Sequence, residues 1–173
     1  MANTYTLISS NVLTSNAASV TFSSIPATYT DLVLRVSSKN ATADTFSILL
    51  NSNTSAIYSY TLMRLNWNTT AVSVRGSSQT KTTQIGYQPE SVSESSDVFG
   101  STEIYIPNYT STTQKPISSF SAQGRNGTTY SPYLSGYAGL VNLTSAVTSI
   151  TVNGDGYNLL TGSSFYLYGI KNS

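Results

Sequence analysis

The chain has 173 residues and a formal net charge of +1, and it contains neither histidine nor cysteine. It therefore lacks the imidazole and thiolate groups that common nucleophilic triads and most zinc, copper and iron sites require. Disulfides are excluded as well, so packing must hold the fold together. We expect a protein that is not an enzyme and that carries no metal or cofactor.

Charged residues make up 9% of the chain, against about 25% in an average soluble domain. The basic residues are scattered, so the sequence predicts no nucleic-acid binding. No apolar run is long enough for a membrane span, and the first residues do not form a secretion signal. A net charge near zero leaves little repulsion between copies, which favours a subunit that is docked to other proteins.

Apolar and polar residues alternate with a period of two along most of the chain, which is typical of half-buried strands. In 31–37, for example, Leu32, Leu34 and Val36 face one way, whereas Arg35 and Ser37 face the other. A helical turn is an alternative for 141–148, although strand and loop fit that segment better. The pattern predicts strands, in chain order, at 5–9, 20–22, 31–37, 45–51, 57–65, 70–75, 81–87, 101–107, 118–123, 137–143, 148–153 and 165–167.

Turn residues separate these segments. Gly-containing pairs at 124–127 and 153–156 tolerate the positive φ of tight hairpins, and we expect Asp155 to serve turn geometry. Pro107 and Pro116 are each expected to end or interrupt a hydrogen-bonded ladder between strands. Together these features predict one all-β domain spanning 1–173. We expect an antiparallel β-sandwich, jelly-roll-like, with about ten to twelve strands and with serine and threonine on its outer faces.

Aromatic residues stand out in segments that are predicted to be loops. Tyrosine beside asparagine or serine offers rigid, amphipathic contact area for a protein partner. The alternatives are that these rings cap the open ends of the sandwich, or that they stack on glycans. The candidate partner-interface residues are Trp67, Tyr109, Tyr130, Tyr133 and Tyr157.

Three carboxylates, Glu90, Glu94 and Asp97, crowd into a serine-rich segment. They could form an acid–base pair or chelate calcium, since a pair of carboxylates suffices for glycoside hydrolysis. No Asp-x-Asp-x-Asp-Gly spacing supports a calcium loop. The sequence therefore favours a solvated, exposed loop at 91–97.

Four segments carry a resemblance to a known group of proteins: YTLISS at 5–10, IPATYTDLVL at 25–34, FGSTEIYIPNY at 99–109 and SSFYLYGI at 163–170. Together they resemble small virion proteins of tailed phages, especially marine and cyanobacterial ones. The resemblance covers the chain from end to end. It implies a jelly-roll-like module that assembles on a phage particle, often as a homo-trimer, and it carries over no catalytic or metal residues.

Two structural roles follow from this resemblance. The first is a capsid decoration or cement protein, made in the host cytoplasm and bound to the major capsid protein outside the head. The second is a tail or head fibre protein that binds a receptor in a lectin-like way, with a glycan as ligand. Because the chain enters a strand close to Met1 without a shaft, decoration is favoured. Alanine at Tyr109 and Tyr133 is expected to weaken particle binding and leave the fold intact.

Overall fold

The computed structural model describes residues 4–42, 45–65, 71–88, 98–124 and 133–171. In these residues the chain forms strands and no helix. The strands are β1 (Tyr5–Val12), β2 (Ser19–Phe22), β3 (Asp31–Ser38), β4 (Thr45–Leu50), β5 (Tyr58–Leu65), β6 (Ala71–Gln79), β7 (Thr82–Tyr87), β8 (Gly100–Ile106), β9 (Lys115–Gln123), β10 (Tyr133–Val141), β11 (Ile150–Asn153) and β12 (Ser164–Ile170).

The strands form two antiparallel sheets. The large sheet has eight strands in the order β1-β12-β3-β8-β9-β10-β5-β6, and the small sheet has four in the order β2-β11-β4-β7. Each of the twelve predicted strands overlaps one of these elements, so the all-β sandwich is confirmed. The segment 142–149 contains no helix. The jelly-roll connectivity and the single domain remain predictions.

One hydrophobic core joins the two sheets. The predicted alternation of β3 is confirmed, since Leu32, Leu34 and Val36 are buried in this core. Val33 points to the opposite face and is nevertheless buried, flanked in register by Tyr105 and Tyr168. Each fully buried aliphatic or phenyl side chain stabilises such a core by roughly 1.5–3 kcal/mol.

Pro116 lies inside β9, and one of the two ladders of this strand ends beside it, as predicted. The ladder between β8 and β9 ends at the pair Tyr105–Ser118, whereas the ladder to β10 continues through the pair Pro116–Leu140. Proline is tolerated where one side of a strand has no ladder to complete.

The prediction that serine lies on the outer faces is wrong for β9. Ser119, Ser121 and Gln123 point inward and are buried, whereas Phe120 on the same strand points outward and is 58% exposed. Period-two alternation predicts two different faces without assigning the core to either one. In β9 the tertiary packing places the hydroxyl groups of Ser119 and Ser121 on the inner face.

Candidate interaction surface

Exposed apolar side chains are concentrated on one surface, the outer face of the large sheet. Nine large apolar side chains are exposed in the described part of the chain, and eight of them lie on this face. The ninth, Tyr157, lies in the turn after β11. The eight are Tyr5, Leu7, Val12, Met63, Leu65, Phe120, Leu134 and Leu140.

The densest part of this face is a depression that we call the apolar groove. It is lined by Met63, Leu65, Phe120 and Leu134, with Gly136 at its floor, and has a volume of about 430 Å³. The β-sheet register places Gly136 between Phe120 on β9 and Met63 on β5. The missing side chain of Gly136 therefore leaves space between two exposed apolar side chains.

The inner face beneath the apolar groove is polar. Thr102, Ser121, Ser135 and Arg64 form one cross-strand row that points into the sandwich. The three hydroxyl residues are buried, and the Arg64 guanidinium donates to the Tyr87 hydroxyl at 2.9 Å. At this end of the sheet the usual polarity is inverted, with polar side chains inside and apolar side chains outside.

The buried hydroxyls of β9 form hydrogen bonds with backbone groups of β7, which is an edge strand of the small sheet. The Ser121 hydroxyl accepts the Tyr87 amide at 2.8 Å and shares a hydrogen bond of 2.7 Å with Thr102. The Ser119 hydroxyl donates to the Ile85 carbonyl. Buried backbone groups without partners are costly, so these serines explain why β9 turns its polar side inward.

The interior also contains polar groups without a partner in the described residues. The side-chain oxygen and nitrogen of Gln123 and the hydroxyls of Ser135 and Tyr137 are buried and make no hydrogen bond there. Burial raises the pKa of the Tyr137 hydroxyl, and the nearby Tyr60 raises it further to a smaller extent. Buried polar groups without a partner lower the stability of a fold, and these lie on the inner side of the large sheet.

The centre of the outer face carries charge and aromatic rings. Arg35 and Glu103 form an exposed ion pair with an N–O distance of 2.9 Å. The Arg35 guanidinium also lies 6.0 Å from the Tyr5 ring centroid and 5.8 Å from that of Tyr168. Exposed pairs of this kind add about 0–1 kcal/mol of stability, so their position on the surface matters more than their energy.

Beside this ion pair lies a second depression, which we call the polar groove. Its volume is about 360 Å³, and hydroxyl groups line much of it. Side chains that combine a guanidinium, a carboxylate, hydroxyls and an aromatic ring can hydrogen-bond and stack on polar ring-shaped ligands. The outward side chains that line it are Arg35, Ser37, Ser101, Glu103, Ser164 and Tyr166; Val36 and Thr102 also border it, although their side chains point inward.

Asp31 and Tyr105 form a hydrogen-bonded pair on the same two strands as this ion pair. The Tyr105 hydroxyl donates to Asp31 at 2.8 Å, and the same carboxylate accepts the Asn108 amide at 2.8 Å. Burial, together with the hydrogen bond to Asp31, raises the pKa of Tyr105 to about 12. The sequence analysis missed this pair, although both residues lie within the segments that carry the phage resemblance.

The structure places the five candidate interface residues differently from one another. Tyr109 is fully buried, and its hydroxyl donates to the Pro26 carbonyl. The prediction that Tyr109 is an exposed contact residue is wrong, as is the expectation that its replacement by alanine would leave the fold intact. Its position agrees with the alternative in which a tyrosine caps one end of the sandwich.

Of the remaining candidates, the described residues include Tyr133 and Tyr157, which lie in different elements. Tyr157 is 48% exposed, as an interface residue should be. Tyr133 begins β10, paired in register with Gln123, instead of lying in a loop. Trp67 and Tyr130 lie outside the described residues. Interface roles for all but Tyr109 stay predictions.

The carboxylates in the described part of the chain make separate contacts. Glu103 pairs with Arg35, and Asp155 pairs with Lys81 at 2.6 Å. Asp155 has a φ of 57°, and its backbone amide donates a hydrogen bond to the side-chain oxygen of Asn153. Both features confirm the role of Asp155 in the turn. The described residues hold no group of three or more carboxylates that could hold a metal ion. Glu90, Glu94 and Asp97 lie outside the described residues.

Lys115 is a buried cation that the sequence analysis missed. Its ammonium donates to the carbonyls of Ser111 at 2.6 Å, Thr113 at 2.5 Å and Leu143 at 3.2 Å. Burial lowers the pKa of this ammonium. Because its partners are backbone carbonyls, Lys115 ties the β8–β9 connection to the chain that follows β10.

No protein-family model matches the chain, and the search of curated proteins finds no significant match. The resemblance to phage virion proteins therefore stays a prediction. Among the described residues no helix is long and apolar enough to cross a membrane.

Proposed function

We propose that this chain is a non-enzymatic structural protein of a phage virion that decorates the head by binding the major capsid protein. The observation that carries the assembly role is the inverted polarity at one end of the large sheet, which exposes Met63, Phe120 and Leu134 above a polar inner row. Large apolar side chains are normally buried when the sequence is fully consistent with the fold. Exceptions to this consistency are concentrated at functional surfaces. The phage origin is supported by the sequence resemblance alone.

The strand order supports the jelly-roll part of this proposal. From β2 to β12 the chain moves back and forth between the two sheets, visiting the small sheet at β2, β4, β7 and β11. Antiparallel sandwiches built from two Greek keys have such crossings. In this interpretation the β8–β9 pair is an extra hairpin inserted into the large sheet.

The capsid contact is assigned to the edge of the sandwich near β1. This strand is an edge of the large sheet, and its eight residues are exposed apart from Ile8. An edge strand offers unpaired backbone groups to another chain. Repetition of moderate contacts by capsid symmetry would make the binding tight.

The test is gold labelling of intact parent particles with an antibody against this chain, viewed by electron microscopy. Label distributed over the head is the expected result. Label confined to the tail would replace decoration by the fibre role. Particles without label, from a preparation in which the antibody recognises the purified chain, would contradict a virion role.

A lectin-like receptor-binding protein is the second candidate, and the polar groove favours it. Arg35 and Glu103 could hydrogen-bond sugar hydroxyls while Tyr166 stacks on the ring. A glycan array probed with the wild-type chain and with Arg35→Ala separates the candidates. Saturable binding that Arg35→Ala abolishes supports the receptor-binding role, and no binding to any glycan argues against it.

A further inference from the structure

We infer that the outer face of the large sheet from β12 to β6, which includes the apolar groove, binds a second copy of this chain. The inference rests on the proposed assembly role and deepens it, because it names the partner of one face. The capsid contact is assigned to another part of the sandwich, so the two proposals can fail separately.

The shape of the face suits a copy of itself. Phe120 is 58% exposed and stands beside the empty space above Gly136. A Cβ atom added at Gly136 would meet no atom within 4 Å. The same surface thus offers a projecting ring and a cavity of about 430 Å³. A contact between like surfaces requires both features on each copy.

The charge of the face also favours a copy over a charged partner. On the described strands from β12 to β6, the exposed charged side chains that point outward are Arg75 and the Arg35–Glu103 ion pair, whose charges cancel. The whole chain has a net charge of +1, so two copies repel each other little at long range. Closely packed interfaces are depleted in charge at their centre, as the apolar groove is.

The size of the face is sufficient for a stable contact. Without β1, which is assigned to the capsid contact, the seven strands from β12 to β6 at about 4.8 Å spacing and about seven residues at 3.3 Å give a planar area of roughly 800 Å². A standard protein interface buries about 800 Å² on each partner. This part of the outer face therefore matches the area that one copy must contribute, and its exposed large apolar side chains are Met63, Leu65, Phe120, Leu134 and Leu140.

The experiment measures the mass of the full chain by sedimentation over a range of concentrations. The variant Gly136→Arg places a charge at the floor of the apolar groove at a position with open space, so folding should be preserved. Two controls match it. Gly136→Ala adds a methyl group without charge, and Ser19→Arg adds the same charge on the exposed outer side of the small sheet.

We expect the wild type and both controls to associate with the same dissociation constant, within about threefold. Gly136→Arg should raise this constant at least about 30-fold, because a buried charge at the centre of an interface costs as much as losing a hot-spot residue. Phe120→Ser, which removes an exposed ring, should raise it too. Circular dichroism melts establish that each variant is folded.

A wild type that stays monomeric at high micromolar concentration overturns the inference. So does an oligomer of any size that folded Gly136→Arg and Phe120→Ser leave intact. A dimer that both variants dissociate supports it. If the wild-type chain is monomeric and the antibody labels phage heads, the self-association alone is overturned. If the wild-type chain associates and the antibody labels no particle, the virion role alone is overturned.

Discussion

Tyr109 shows how burial gives one hydroxyl a structural role. Its ring is fully buried, and its hydroxyl donates to the carbonyl of Pro26, in the segment before β3. Burial raises the pKa of this hydroxyl above its ordinary value. The group therefore remains a protonated donor at neutral pH, and the bond joins two loops at one end of the sandwich.

Replacing Tyr109 by alanine should lower the free energy of unfolding by about 3–5 kcal/mol, because a large cavity is left in the core. Tyr109→Phe should cost about 1–3 kcal/mol, since it leaves the Pro26 carbonyl without its partner. Urea unfolding measures both changes. The control is Tyr157→Ala, at an exposed position, which should alter stability by no more than about 0.5 kcal/mol. Equal stability of Tyr109→Ala and Tyr157→Ala would contradict the assignment.

Tyr105 should give the protein an alkaline pH dependence. Burial and the hydrogen bond to Asp31 raise its pKa from 10.0 to about 12 in the folded chain. An unfolded chain loses this proton near pH 10, whereas the folded chain keeps it. The stabilisation from Tyr105 is therefore fully present below pH 10 and is lost as the pH rises towards 12.

The variant Tyr105→Phe removes this titration. Urea unfolding at several pH values between 9 and 12 should show that the wild type loses more stability than the variant. Other buried tyrosines, among them Tyr58 and Tyr109, also have raised pKa values. Because both proteins contain them, the difference between the two curves isolates Tyr105. Parallel curves across the range would refute its contribution.

At the scale of elements, β9 links the two sheets through its side chains. Ser119 and Ser121 reach across to the backbone of β7 and occupy positions that apolar side chains usually fill. The edge of the small sheet is thereby closed by hydroxyl groups instead of another strand. Closing an edge in this way also keeps it from pairing with a foreign strand.

Ser121→Ala should destabilise the protein by about 1–3 kcal/mol, because the buried Tyr87 amide loses its acceptor. Native-state hydrogen exchange should show faster exchange at the Tyr87 amide than at amides in the centre of the large sheet. Ser118→Ala is the matched control, since Ser118 lies on the same strand and points outward. Unchanged exchange at Tyr87 in Ser121→Ala would show that another group satisfies the amide.

At the scale of the whole molecule, composition predicts an unusually flat response to mild acid. The chain contains no histidine and no cysteine, and other side chains ordinarily titrate below pH 5 or above pH 10. The free energy of unfolding should therefore change by less than about 0.5 kcal/mol between pH 5.5 and 7.5. Urea unfolding at three pH values in this range tests the expectation, and a steep slope would reveal a carboxylate that titrates near neutrality.

Much of the fold could be predicted because the sequence signals for strand formation are local. Alternation with a period of two, turn residues such as Asp155 with Gly156, and strand-ending prolines such as Pro107 act over a few neighbouring residues. These signals located all twelve strands. They could not give the strand order, because pairing between β9 and β10, or between β3 and β12, depends on contacts between distant parts of the chain.

The candidate surface was less predictable from the sequence. Tyr109 follows β8 in a segment rich in polar residues, which suggested exposure, yet tertiary packing buries it. The serines that alternate with Phe120 were expected on the outer face, yet Ser119 and Ser121 point inward and hydrogen-bond to the β7 backbone. Neither choice is visible in the local pattern, because each depends on a partner from another sheet or loop.

The sequence by itself determined the class of this protein: an all-β chain with little charge, no disulfides, and no imidazole or thiolate chemistry. Only the tertiary structure decided which face of each strand meets the core. The physical reason is that alternation divides a strand into two faces, whereas burial is assigned by the summed packing and hydrogen bonding of all the elements. That assignment left Met63, Phe120 and Leu134 on the outside, where the apolar groove forms.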